Sequence, residues 1–201
     1  MRNGFFYFCV EIFNRMLPLF DPNHSIQLHD LRFVPLISEQ AVQERVHALG
    51  QELKKDIGDC NPLFISVLSG AFVFAADLIR AFENTCEVGF VKLSSYEGTR
   101  STGDVRTVIG LDKDLTGRHL VVVEDIVDTG RTLHFFLEHL WAQHPASVTT
   151  VGFLRKPEAA AFSVKVDHVG FDIENKFVVG YGLDYDGIGR NLRGIYVLMS
   201  A

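Results

Sequence analysis

The run HLVVVED, His119–Asp125, constrains the fold more than any other part of the chain. Its apolar residues are consecutive rather than alternating, the pattern of a strand covered on both faces, and such strands belong to parallel sheets flanked by helices. The run leads directly into IVDTGRTLHFFLEHLWAQH, whose apolar spacing from Leu133 onward is helical, and SVTTVGFLRK then reads as a further strand. Upstream, PLFISVLSG is a short apolar strand closed by glycine, AFVFAADLIRAF is helical, and EVGFVKLSSY is rich in β-formers. Strand, helix and strand repeated in this order predict an α/β fold with a parallel-sheet core.

Around this centre the remaining elements are less regular. Ser38 is placed as the N-cap of an amphipathic helix, SEQAVQERVHALGQELKKDI, with Ile37, Val42, Val46, Leu49 and Leu53 at near-helical spacing. The polar stretch EGTRSTGD, 97–104, carries glycines and no apolar periodicity, so a mobile loop is expected there. Beyond Pro157, HVGFDI, KFVVGYGLDYDGIGRN and GIYVLMS alternate short strands with glycine-rich turns. Residues 157–201 are therefore expected to form a small C-terminal lobe across the carboxyl edge of the sheet, where ligands of open α/β sheets sit. A chain of 201 residues, 47% hydrophobic, suits one sizeable core, so residues 26–201 are expected to be a single domain. Met1 to Ser25 is read as an extension, disordered or helical; an upstream translation start and a membrane-surface segment are the two explanations open for it.

Composition narrows the function classes. A net charge of −6 and a pI near 5.7 argue against a protein that grips nucleic-acid backbones over a broad surface, while a small anionic ligand still needs only a few local donors. No apolar run in the first twenty residues is long enough to span a bilayer. Cys9, Cys60 and Cys86 are odd in number and widely spaced, so a reduced, cytoplasmic setting is expected.

The chemistry concentrates in VVVEDIVDTGRT, Val121–Thr132. A helix beginning just after Asp128 offers unpaired N–H groups and the positive end of its dipole to a phosphate. Gly130 lets the backbone come close, and the Thr129 and Thr132 hydroxyls add donors. Glu124 and Asp125 leave the strand tip beside that phosphate, where they would repel it unless a cation or sugar hydroxyls stood between. Phosphate, diol and divalent metal together describe an activated sugar phosphate.

The same run resembles the phosphoribosyl pyrophosphate signature of type I phosphoribosyltransferases, in which two acidic residues close a hydrophobic strand ahead of a D-T-G-x-T loop. The resemblance extends from about Ile26 to the C-terminus and is strongest toward the hypoxanthine-guanine phosphoribosyltransferases. VLSGAF resembles their pyrophosphate loop, KLSSYEGTRSTGDV their flexible loop and KFVVGYGLDYDGIGRNL their purine-binding hood. It implies transfer of a phosphoribosyl group from phosphoribosyl pyrophosphate to a 6-oxopurine, with magnesium as cofactor and a homodimer or homotetramer as the assembly. It also implies roles for individual residues. Glu124 and Asp125 face the ribose hydroxyls and the metal, and Asp128 accepts a proton from the purine as N9 attacks. Thr129, Gly130, Arg131 and Thr132 hold the 5-phosphate; Ser69 and Gly70 hold pyrophosphate through a Leu68–Ser69 peptide that is strained or cis, and Arg190 reaches the same group. Lys156 donates to the purine 6-oxygen, Phe177 stacks on the base, Val178 meets its edge through the main chain, Asp184 holds a second magnesium, and the Ser95–Tyr96 pair belongs to the closing loop. Ser69 departs from the family, many members of which carry lysine there.

Each of these residues also has a plainer reading. Glu124 and Asp125 can be a solvated strand end, Asp128 a helix N-cap, Phe177 one core aromatic among seventeen phenylalanines, Lys156 and Arg190 surface cations, and Asp184 a turn former. Other functions stay open as well: a guanine- or xanthine-preferring transferase, and a non-catalytic nucleotide-sensing regulator on the same fold, although the latter needs a basic face and could dispense with Asp128. The triplet Asp128-Thr129-Gly130 also occurs in aspartic proteases, but those need two copies in an all-β fold, and here a helix follows the only copy.

Overall fold

The computed structural model describes residues 25–95, 105–109 and 113–199, with 94–95 and 105–109 described by their backbone alone. Tyr96, the stretch 97–104 and residues 1–24 lie outside the described residues. In chain order the strands and α-helices are β1 (Ile26–Leu28), β2 (Leu31–Ile37), α1 (Glu39–Ile57), β3 (Leu63–Leu68), α2 (Phe72–Phe82), β4 (Glu87–Ser95), β5 (Val105–Ile109), β6 (His119–Val127), α3 (Arg131–Trp141), β7 (Ser147–Arg155), β8 (His168–Asp172), β9 (Val178–Val179) and β10 (Ile195–Leu198).

The chain divides into two compact units. The larger, Gln43–Lys176, contains a six-stranded sheet in the order β5-β4-β3-β6-β7-β8. Strands β4, β3, β6, β7 and β8 run parallel, and β5 joins β4 antiparallel. The apolar run that predicted this sheet lies at its centre, with Leu120, Val121, Val122 and Val123 all at most 1% exposed. On one face Leu63, Ile65, Val122 and Val91 pack with Leu133, Phe136 and Leu140 of α3. On the other, Phe64 meets Phe82 of α2 at a ring separation of 5.2 Å, and Phe74 meets Phe153 at 5.1 Å.

The smaller unit joins the described residues up to Val42 with those from Phe177 onward, in an antiparallel sheet ordered β1-β2-β10-β9. Phe33, Val179 and Tyr196 form its small core. Ser38 caps α1 as expected, its Oγ accepting the Ala41 N–H at 3.1 Å.

The division differs from a single domain whose lobe is built from 157–201. Residues 157–176 belong to the larger unit, because β8 finds a parallel edge on β7. The guanidinium of Arg45 donates to the carbonyls of Val169 (2.7 Å) and Gly170 (3.1 Å), occupying acceptors that an edge strand would leave to other chains. Strands β9 and β10, two and four residues long, are too short to stand as an isolated ribbon, and β1 and β2 complete their sheet.

Gly50 marks where α1 meets α2. A Cβ there would lie 2.5–2.6 Å from Ala81 backbone and Cβ atoms. Alanine gains up to about 1 kcal/mol in helix propensity, but overpacking of this kind costs about 1–3 kcal/mol. Gly50→Ala is therefore expected to lower the urea midpoint of unfolding; an unchanged or higher midpoint would show that the helices can part at no cost.

Candidate active site

In a parallel sheet the loops after the strands emerge at one edge, and in the larger unit three of them carry the residues singled out from the sequence. At the end of β6, Glu124 is only 7% exposed, and its pKa is pushed well above the ordinary carboxylate value, first by burial and then by the neighbouring Asp125 charge. The Asp125 carboxylate accepts the Ile126 N–H at 2.9 Å. It also lies against Gly70 after β3, so closely that a Cβ on Gly70 would overlap Asp125 Oδ2. The Leu68–Ser69 peptide is cis, and Ser69 is exposed.

The third loop follows β7. Strands β6 and β7 pair with Val127 opposite Arg155, so the next residue of each, Asp128 and Lys156, leave the sheet side by side. Lys156 Nζ donates to Asp128 Oδ2 at 3.0 Å; the lysine side chain is 8% exposed and the aspartate side chain 47%. Neither plain reading of these residues holds. Lys156 is buried, and the residue at the helix N-cap is Gly130, without a side-chain cap bond, so Asp128 serves the lysine and not the helix.

Gly130 has φ of +77°, a conformation that favours glycine, and helix α3 starts at Arg131. The first-turn N–H groups of α3 thus follow a tight turn, as anion recognition at a helix N-terminus requires. Thr129, Arg131 and Thr132 are exposed, and Thr129 Oγ1 accepts the Arg131 N–H at 3.4 Å.

The smaller unit holds the other candidates. Phe177 is 43% exposed, with its ring 6.0 Å from Phe33 and 5.8 Å from Tyr185, so it is an aromatic shelf and not a core residue. Its carbonyl accepts the Leu198 N–H at 2.9 Å. Antiparallel pairing alternates, so the main-chain groups of the next residue, Val178, point away from β10, and β9 is the edge strand on that side. Asp184 and Arg190 meet each other at 2.6 Å. Asp184 Oδ2 also accepts the Gly187 N–H, the turn-forming role, while Arg190 donates to the Gly182 carbonyl at 2.6 Å. Ser95 ends β4.

Comparison with known proteins identifies the family. The phosphoribosyl transferase domain family matches residues 37–186. The chain belongs to that family. It is 42% identical over 174 residues to the hypoxanthine-guanine phosphoribosyltransferase of Bacillus subtilis (strain 168), covering 86% of this chain and 96% of the relative. It is 43% identical over 176 residues to that of Mycobacterium avium, covering 84% and 86%. A crystal structure of a hypoxanthine-guanine phosphoribosyltransferase from Bacillus anthracis, with a HEPES molecule in its active site, superposes with a TM-score of 0.77 at 38% identity, over 83% of this chain and 96% of that one. The parallel sheet with its flanking helices is thus the phosphoribosyltransferase fold.

Two relations within this phosphoribosyltransferase were not readable from motifs. The Lys156–Asp128 pair joins residues 28 apart in sequence, and the Asp184–Arg190 pair joins two residues expected to bind separate groups. Gly70 supplies a direct test of the site's compactness. Because the atom a Cβ would strike is the end of the Asp125 side chain, Gly70→Ala is expected to leave the melting temperature nearly unchanged while turning that carboxylate away and lowering turnover by about 10²-fold. Native turnover would show that Asp125 can sit elsewhere without consequence.

Proposed function

We propose that the chain transfers the 5-phosphoribosyl group of phosphoribosyl pyrophosphate to N9 of hypoxanthine, and also of guanine, releasing pyrophosphate and the purine mononucleotide in cytoplasmic purine salvage. Relatives named for this activity match most of the chain. The observation that carries the reading is the Lys156–Asp128 pair. A 6-oxopurine presents a carbonyl oxygen and, beside it, a ring N–H that can be lost as N9 attacks. An ammonium with three donors and a carboxylate that only accepts, 3.0 Å apart, match that edge in both polarity and spacing.

The residues then divide the work. The turn Thr129–Thr132 holds the 5-phosphate at the start of α3, and the Ser69–Gly70 turn holds pyrophosphate through its backbone. Phe177 stacks on the base, and the outward main-chain groups of Val178 meet its edge. Asp128 accepts the purine proton, a step that contributes about 10²–10⁴-fold. Glu124 and Asp125 face the ribose hydroxyls, whose O–H groups their side-chain oxygens can accept.

Magnesium fits the donor set. The described residues contain no group of three or more His, Cys, Asp or Glu able to cage an ion. Adjacent carboxylates at Glu124 and Asp125 are the sparse provision magnesium uses, with the remaining ligands coming from substrate oxygens and water. When bound, it offsets the charge of the departing pyrophosphate. Asp184, paired with Arg190 at 2.6 Å, would hold a second ion, and Arg190 would then be available to pyrophosphate.

Further observations support the setting. Cys60 and Cys86 are free thiols, as a reducing compartment would keep them. No helix among the described residues is long and apolar enough to cross a membrane. Self-association as a dimer or tetramer is part of the proposal, and the outward residues Val88 and Phe90 of β4, 40% and 46% exposed, offer apolar surface for it.

The test is a panel of hypoxanthine, guanine, xanthine and adenine, each incubated with phosphoribosyl pyrophosphate and magnesium, with nucleotides read by chromatography. Inosine and guanosine monophosphates are expected; formation of neither would overturn the reading, and a product from xanthine or guanine alone would move it to the neighbouring specificity. Asp128→Asn is expected to lower turnover by about 10²-fold or more with phosphoribosyl pyrophosphate binding largely kept, because the amide preserves shape without accepting the proton. Near-native turnover would remove Asp128 from the role of base.

A further inference from the structure

Residues 160–164 follow the 3-10 turn Pro157–Ala159 and belong to none of the motifs used above, yet they lie directly against the phosphate-binding turn. Ala161 and Phe162 both donate their N–H groups to the Thr129 carbonyl, each at 3.0 Å. In a planar trans peptide the C=O and the following N–H point in opposite directions. Holding the Thr129 oxygen toward 161–162 therefore turns the Gly130 N–H to the opposite side of the turn. Contact is close as well, since a Cβ on Gly130 would lie 3.1 Å from the Phe162 carbonyl oxygen.

The Phe162 side chain fixes the same segment to the helix that the turn begins. Its ring is 5.4 Å from His134 and 5.8 Å from Phe135, which are themselves 5.2 Å apart on α3. Further along, Val164 and Val166 pack against the core on the α3 side of the sheet. One residue thus touches the turn through its amide and carbonyl and the helix through its ring.

We propose that Phe162 is a positioning residue for the 5-phosphate: its ring, keyed onto His134 and Phe135, holds the 161–162 amides on the Thr129 carbonyl and so sets the Gly130 N–H on the side of the turn away from that segment before substrate arrives. The inference rests on the assignment of Thr129–Thr132 as the 5-phosphate site. It adds that the site's order is supplied from a segment outside the signature. A turn ordered in advance spares the ligand the cost of ordering it, and the gain appears as affinity.

Ribose 5-phosphate, which engages this turn without needing a base, is the probe. Phe162→Ala is expected to weaken its binding in calorimetry by about tenfold and to raise KM for phosphoribosyl pyrophosphate by a similar factor, the effect of losing pre-organisation. KM for hypoxanthine and kcat at saturation should stay close to native. Phe162→Tyr, which keeps the ring, should restore binding, and Phe162→Leu, which keeps bulk without the aromatic contacts, should fall between and decides the matter if the alanine variant does not fold. Native ribose 5-phosphate affinity in a folded alanine or leucine variant would overturn the inference. So would equal losses for both substrates that follow the fall in melting temperature, since that is what a merely structural residue produces. A native protein that uses hypoxanthine and phosphoribosyl pyrophosphate while Phe162→Ala binds normally sinks this inference alone; a native protein that binds neither ribose 5-phosphate nor phosphoribosyl pyrophosphate sinks the functional reading and this inference with it.

Discussion

The parallel registers of β6 with β3 on one side and β7 on the other determine which side chains can meet at the site. Ser66 stands opposite Val123, and Val127 opposite Arg155. From those pairings it follows that Gly70 reaches Asp125 and that Lys156 reaches Asp128. A slip of two residues between β6 and β7 would preserve which face each side chain occupies but carry the lysine on the order of 7 Å along the strand, out of reach of the carboxylate. The four nearly inaccessible residues Leu120–Val123 oppose such a slip, because their packing on both faces specifies the register. Core packing and site geometry are therefore one constraint.

What the site contains is not what stability alone would select. Lys156 is almost fully buried with a half-exposed aspartate as partner, and an ion pair of that kind gains little net stability once the desolvation of the ammonium is counted. Glu124 is buried next to another carboxylate, which raises its pKa well above the usual range. Gly130, with its positive φ, stands at the same sheet edge. Buried charge at the edge of a phosphoribosyltransferase sheet is instead what the proposed ligands require, a phosphorylated sugar and a base edge with one donor and one acceptor.

Much of this was legible in the sequence where the signal is local. A continuous apolar run, an acidic strand end, glycine in the turn and helical spacing after it specify β6, its loop and α3 without reference to the rest of the chain. Ser38 as a cap and the buried stripe Val42, Val46, Leu49 and Leu53 are of the same kind. The smaller unit was less readable, because β1 has three residues, β2 contains Pro35, and β9 has two residues, too few for any periodicity to declare itself. Strand β8 looked like part of the tail since its membership in the large sheet depends on an edge that β7 supplies. The Lys156–Asp128 and Asp184–Arg190 pairs and the bracing of Thr129 by 161–162 depend on distance in space, which spacing along the chain does not encode.

The central claim is that Lys156, held beside Asp128, reads the oxygen at the purine 6-position. An ammonium facing the 6-amino group of adenine is donor to donor; Asp128 still accepts one of its hydrogens, but the hydrogen that would meet the 6-oxygen is left without an acceptor, at a cost of about 1–3 kcal/mol, a discrimination of roughly tenfold to hundredfold. The most direct measurement is kcat/KM for hypoxanthine and for adenine in the native protein and in Lys156→Gln, whose amide offers either a donor or an acceptor. Strong native preference for hypoxanthine that narrows by about tenfold or more in Lys156→Gln is the result expected; a ratio left unchanged by the substitution would contradict the claim and remove Lys156 from base recognition.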